Sequence, residues 1–258
     1  GFVAAPASDG ATLYAGSVDG TLFALEAATG KERWRFAAGG PVASSPALYE
    51  GRLYFGGGPF FFAISAETGS EEWSLRTGSA IVASPAVNLD AVAVAGNDGG
   101  LYKLRPDSGV TDWRYQTVIG RNRIDSSPAF SGEAIVFGSA DHFVHALRPL
   151  DGDVLWEFET DDDVLAAPVI VGGTVLAASK DNHLYAIDLA TGHERWRFQA
   201  ADDIDAAPAV DVGSGTVFLA SRDAHVYALD LATGAERWRF ETDLGVRASP
   251  TLAGGVLL

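Results

Sequence analysis

Short apolar runs, some alternating with polar residues and some unbroken for four or five positions, recur along the chain between clusters of turn-forming residues. Residues 166–199 give the clearest unit. Four strands are expected there, over 166–170, 174–179, 183–188 and 194–199, each rich in Val, Ile, Leu or aromatics. They are separated by Gly172-Gly173, Asp181-Asn182 and Thr191-Gly192, pairs that supply the backbone freedom and local hydrogen bonds of tight turns. No helical period intervenes, which argues against a βαβ plan.

The unit is repeated. Trp34, Trp73, Trp113, Trp156, Trp196 and Trp238 follow one another at intervals of 39, 40, 43, 40 and 42 residues, and each stands four positions after a glycine. A proline series (Pro6, Pro46, Pro85, Pro128, Pro168, Pro208, Pro250) runs at the same period, each member preceded by Ser or Ala. Two markers with one period identify tandem structural units. Four antiparallel strands per unit predict an all-β fold, a β-propeller of four-stranded blades. A WD-type propeller is disfavoured because each Trp is followed by Arg, Ser or Glu and never by Asp.

The repeats run approximately over 3–41, 42–80, 81–123, 124–163, 164–203 and 204–245, with a partial seventh at 246–258, and are expected to form a single domain over 1–258. The first expected strand covers 3–7. Another first strand at 248–252 and the start of a second at 254–258 exceed the needs of six blades, so seven blades are favoured over eight, the last expected to be incomplete or to be completed by residues outside this sequence.

The segments 24–34 (ALEAATGKERW), 186–196 (AIDLATGHERW) and 228–238 (ALDLATGAERW), with related versions at 63–73, 103–113 and 146–156, resemble the tryptophan-docking motif of pyrroloquinoline-quinone (PQQ) repeat propellers. That family includes quinoprotein dehydrogenases and a non-enzymatic outer-membrane assembly propeller. The resemblance implies that all six tryptophans are structural, each covering a turn and a neighbouring blade. It also implies a binding or scaffold propeller, with an extracytoplasmic place in the periplasm or at the cell surface. The alternative it raises is a PQQ-dependent oxidoreductase, holding PQQ over calcium with Glu and Asn ligands and commonly a vicinal Cys pair. Cys is absent here, and Asn88, Asn97, Asn122 and Asn182 match no such site.

Composition narrows the partners. With 34 acidic against 18 basic residues the formal net charge is -16, which disfavours nucleic acid and anionic lipid and favours a protein or peptide of basic character. Only three lysines occur and neither Cys nor Met, a balance that also suits a salt-adapted source. No apolar run approaches the length of a membrane span, so direct insertion is not expected.

No catalytic, cofactor or metal residue is assigned; G-x-S-x-G and H-E-x-x-H are both missing. Three residues before the periodic Pro, the column Val3, Ala43, Val82, Asp125, Leu165, Asp205, Arg247 turns charged at three members. With Arg121, Arg123, Asp163 and Asp203 in the preceding interblade loops, these outline a candidate partner-binding rim at a channel mouth. The loops 161–163 and 202–203 fit either a solvated charged surface or a weak divalent-cation site of carboxylate oxygens. Asp19, Asp98, Asp141, Asp181 and Asp223 are expected to cap turns between second and third strands, and His183 and His225, at matching positions of adjacent blades, stand too far apart to share an ion. In 60–62, three successive phenylalanines are expected to divide between the two faces of one sheet.

Overall fold

Alternating side chains and glycine-rich turns put the chain into antiparallel ladders throughout. The structure, a computed structural model, describes residues 1–117 and 123–257. Among these residues six four-stranded sheets and one two-stranded sheet are formed, each in simple up-and-down order. Blade 1 comprises Ala7–Ser8, Thr12–Gly16, Thr21–Glu26 and Glu32–Ala37, and blade 5 comprises Val169–Val171, Thr174–Ala178, His183–Asp188 and Glu194–Gln199. Blades 2, 3, 4 and 6 repeat the plan over 47–76, 86–116, 129–159 and 209–241, followed by the pair Leu252–Ala253 and Val256–Leu257. Among the described residues no helix is long and apolar enough to cross a membrane.

The chain divides into two compact units, Gly1–Pro128 with blades 1 to 3 and Ala129–Leu258 with blades 4 to 6 and the final pair. In each blade the second and third strands form the core. Val175, Leu176, Ala177 and Ala178 are all buried, as are Leu53, Tyr54 and Phe55, because neighbouring sheets cover both faces. The fourth strand shows alternation instead, with Trp196 buried and its neighbours Arg195 and Arg197 exposed.

First strands are shorter and later than the sequence pattern indicated. Apart from an isolated Phe2–Ser17 bridge, the ladders begin at Ala7 rather than residue 3, at Val169 rather than 166, and at Leu252 rather than 248. Residues before four of the prolines are held differently: the N–H of Ala5 donates to Ser45 Oγ, that of Ser45 to Ser84 Oγ, and that of Ser84 to Ser127 Oγ. In the second unit Ala207 N–H donates likewise to Ser249 Oγ. Serine hydroxyls thus link successive repeats where the proline, lacking an N–H, does not continue a ladder.

The three phenylalanines divide as their alternation requires. Phe62, with Phe60 beside it, packs in the cluster of Tyr14, Leu22 and Phe36 from blade 1, whereas Phe61 enters the cluster of Trp73, Val92 and Tyr102 toward blade 3.

Candidate functional site

The docking motif is built on a bulge. Between third and fourth strands the register shifts immediately after the residue opposite each indole, as at Ala63/Ile64 and Ala186/Ile187, and the chain reaches the bulge through a turn glycine at positive φ. The indole of the preceding blade lies on that glycine. A Cβ on Gly69 would fall 2.7 Å from Trp34, on Gly109 2.5 Å from Trp73, on Gly192 2.6 Å from Trp156, and on Gly234 2.5 Å from Trp196. Only glycine allows that approach. Each Nε1 then donates to the carbonyl three residues before the glycine: Trp34 to Ala66 (3.1 Å), Trp73 to Pro106 (3.0 Å), Trp156 to Leu189 (2.8 Å) and Trp196 to Leu231 (3.1 Å). Tyr14 and Tyr54 hydroxyls donate to the first two of those same carbonyls.

Trp113 is half-buried on its strand. Trp238 departs from the reading of all six as covered structural rings: it is 45% exposed, and Phe240 beside it is 64% exposed. Among the described residues the sheet that follows has two strands. Trp238, Phe240, Val226, Val246 and Leu257 instead line an apolar cleft of about 620 Å³.

At the other turn of each blade, the recurring aspartate caps the backbone. Asp19, Asp98, Asp141, Asp181 and Asp223 accept the N–H two residues on, at 2.9–3.1 Å. Their second role was not foreseen. Tyr102, Tyr185 and Tyr227 donate their hydroxyls to Asp98, Asp181 and Asp223 at 2.7, 2.8 and 2.6 Å. Burial, and then the adjacent carboxylate, pushes Tyr102 up to about 12, and the same causes raise Tyr185 and Tyr227 further. The signal was an aromatic four residues after each of these aspartates.

In blade 4 that aromatic is His145, buried and stacked on Phe137, with Nε2 3.1 Å from Asp141 and Nδ1 3.1 Å from Glu157. Burial works to raise the Asp141 carboxyl, but the hydrogen bond and charge of His145 with the Phe143 N–H outweigh it and hold it below the usual range.

The rim residues are accounted for unit by unit. In the first, Arg123 pairs with Asp125 at 2.7 Å; Arg121 lies outside the described residues. In the second, Asp203 and Asp205 both engage Arg222, at 3.2 Å for Asp203, and Asp163 Oδ1 lies 3.5 Å from His142 Nε2. Arg247 is exposed and forms no ion pair among the described residues. Arg222 was not singled out from the sequence; the cue was its place immediately before the turn aspartate, shared by Lys180 one repeat earlier.

No curated protein matches this sequence. Among solved structures, BamB from Moraxella catarrhalis superposes with a TM-score of 0.84 at 22% identity, over 98% of this chain and 80% of that one. A europium-containing methanol dehydrogenase gives 0.81 at 13% identity over 95% of this chain and 69% of its own. The quinohemoprotein alcohol dehydrogenase from Comamonas testosteroni gives 0.78 at 16% identity, over 95% of this chain and 60% of that one. At these identities the likeness establishes the fold, a β-propeller of four-stranded blades. The family model described as outer membrane protein assembly factor BamB matches residues 1–58, 55–196 and 180–258. With matches running through every repeat, the chain belongs to that PQQ-like propeller family.

Proposed function

We propose that this chain is a non-catalytic binding or scaffold propeller that engages a protein or peptide of basic character in an extracytoplasmic setting, and that residues 1–258 act as one propeller domain. The observation that carries the reading is the division of labour within the repeat. Side chains that recur from repeat to repeat, the four docked indoles and the five capping aspartates, are spent on packing and turns, while the variable ones form half-exposed ionic groups at the interblade loops. Membership of a family described by an assembly factor supports the same reading.

The residues present do not fit PQQ over calcium. Trp34, Trp73, Trp156 and Trp196 are committed to turns. Asn88 Oδ1 is occupied by the N–H groups of Asp90 and Ala91, and Asn182 holds a left-handed turn position. Asn122 lies outside the described residues. Asn97 does bury a carboxamide oxygen with no hydrogen-bond partner, but no group of three acidic or histidine ligands stands with it among the described residues.

The test pairs two measurements on the purified protein. Basic peptides should bind with an affinity that falls as salt rises, and should bind more weakly to a variant carrying D163N, D203N and D205N. Ultraviolet-visible titration with PQQ and calcium should show no saturable binding; saturable binding of the cofactor, or peptide binding indifferent to both salt and the substitutions, overturns the reading.

A further inference from the structure

The blade 4 end of the second unit carries a ligand set found at no other described repeat. We propose that His142, Asp162 and Asp163 bind one divalent transition-metal ion such as zinc, nickel or cobalt. His142 Nε2 and Asp163 Oδ1 are 3.5 Å apart, and one ligand atom from each of the three residues lies within 4.8 Å of the others. Two ligands bonded to a tetrahedral zinc stand about 3.4 Å apart, given bonds of about 2.0–2.1 Å. The observed separation already matches, and the half-exposed Asp162, whose Oδ1 also accepts the Asp163 N–H at 2.7 Å, offers a carboxylate oxygen within 4.8 Å of the other two donors.

The frame that holds these residues is general, and the donors are not. Thr160 donates its N–H and its hydroxyl to the His142 carbonyl, both at 2.8 Å, and the hydroxyl also meets the Asp162 carbonyl at 2.7 Å. Blade 2 has the same frame, in which Thr77 binds the carbonyls of Pro59 and Ser79. Blade 6 has it with Thr242 on Ala224 and Leu244. Neither offers a metal ligand. Blade 5 comes nearest, with Asn182, Asp202 and Asp203, but an amide replaces the imidazole and Arg222 neutralises Asp203 at 3.2 Å.

Facing the blade 4 loop, the counterpart of Arg222 is Lys180 of blade 5, whose backbone N–H donates to the Asp163 carbonyl. Among the described residues the Lys180 ammonium forms no ion pair. The acidic loop at 202–203 is therefore met by a guanidinium from the repeat that follows it, whereas the loop at 161–163 is met by an imidazole of blade 4. An imidazole nitrogen with two carboxylate oxygens suits borderline divalent metals, whereas calcium and magnesium prefer all-oxygen shells. Three protein ligands leave coordination positions for water or for a ligand from a bound partner.

Calorimetric titration of the intact, chelator-treated protein with zinc chloride tests this, with H142N and D163N as variants and calcium chloride as competitor. H142N is chosen because Asn182 occupies the same left-handed position, with φ +73 at both, so the turn is retained. The expected result is one saturable zinc site, weakened about tenfold or more in each variant and unaffected by calcium, with metal-free melting temperatures unchanged. Equal zinc binding by wild type and both variants, displacement by calcium, or no saturable binding at millimolar zinc overturns the proposal. A second arm uses cobalt, whose visible absorption reports the ligand field: a spectrum identical in wild type and H142N also overturns it.

Discussion

The indole Nε1 of Trp73 donates a 3.0 Å hydrogen bond to the carbonyl of Pro106, 33 residues further along and in a turn of the next blade. The same ring covers Gly109 and sits in a cluster with Tyr54, Phe61 and Leu104. Replacing Trp73 with Ala is expected to cost about 3–5 kcal/mol, since a large ring leaves a cavity and one hydrogen bond is lost, although the Tyr54 hydroxyl still donates to the Pro106 carbonyl. Trp238→Ala, at a ring 45% exposed and without a described acceptor, should cost under half as much. Urea unfolding of the two variants measures the difference, and equal losses would contradict the docking account.

Glycine at the docked turn serves two needs that can be separated. Gly109 and Gly30 both hold positive φ, +67 and +71, but a Cβ meets the Trp73 ring at 2.5 Å in the first and nothing within 4 Å in the second. Gly30→Ala should cost only the backbone term, about 1 kcal/mol, and Gly109→Ala about 1–3 kcal/mol more from the clash. Equilibrium unfolding of the pair reads the steric part directly.

Asp181 gathers three donors: the N–H of His183 at 2.9 Å, the N–H of Asp161 at 3.0 Å and the Tyr185 hydroxyl at 2.8 Å. Removing the carboxylate strands them, and Asp181→Ala is expected to lose about 2–3 kcal/mol. Tyr185→Phe alone should lose less. In the double variant the losses should fall short of their sum, because the hydroxyl no longer lacks a partner. Strict additivity in that cycle would show that the pair does not interact.

Acid should act on the outer-strand arginine pairs. The Arg195 guanidinium, helped by Thr191, holds Asp188 down to about 2, and Arg237 with Thr233 does the same for Asp230. A carboxyl whose folded value lies below its ordinary 3.8 contributes stability that is present above that ordinary value and is lost as pH falls through the folded value. Melting temperature should therefore fall between about pH 4 and about pH 2, and fall less steeply in the D188N/D230N double variant. Both groups are half-exposed, so added salt should also flatten the profile.

Second, third and fourth strands were legible because their limits are chemical: Gly172-Gly173, Asp181 and Thr191-Gly192 each interrupt an apolar run. First strands were read too early because apolar residues before each Pro look like ladder residues, whereas Ser45 and Ser84 bind through hydroxyls across repeats. The capping aspartates were visible as a column, and their tyrosines lay in the same register unread. Arg222 joining Asp203 and Asp205 was not visible, since that contact joins a loop to the next blade's turn. The blade 4 ligand set was half legible: the acidic loop stood out, but only the fold brings His142 to it.

The indole-to-carbonyl bonds all point one way along the chain, from 34 to 66, 73 to 106, 156 to 189 and 196 to 231. A polypeptide emerging from its N-terminus exposes each ring before the acceptor for it exists. Completion of one blade must wait for most of the next, so assembly trails synthesis by a full repeat. Damage runs in the opposite sense: a lesion in one turn loosens the blade made before it and leaves the later contacts standing.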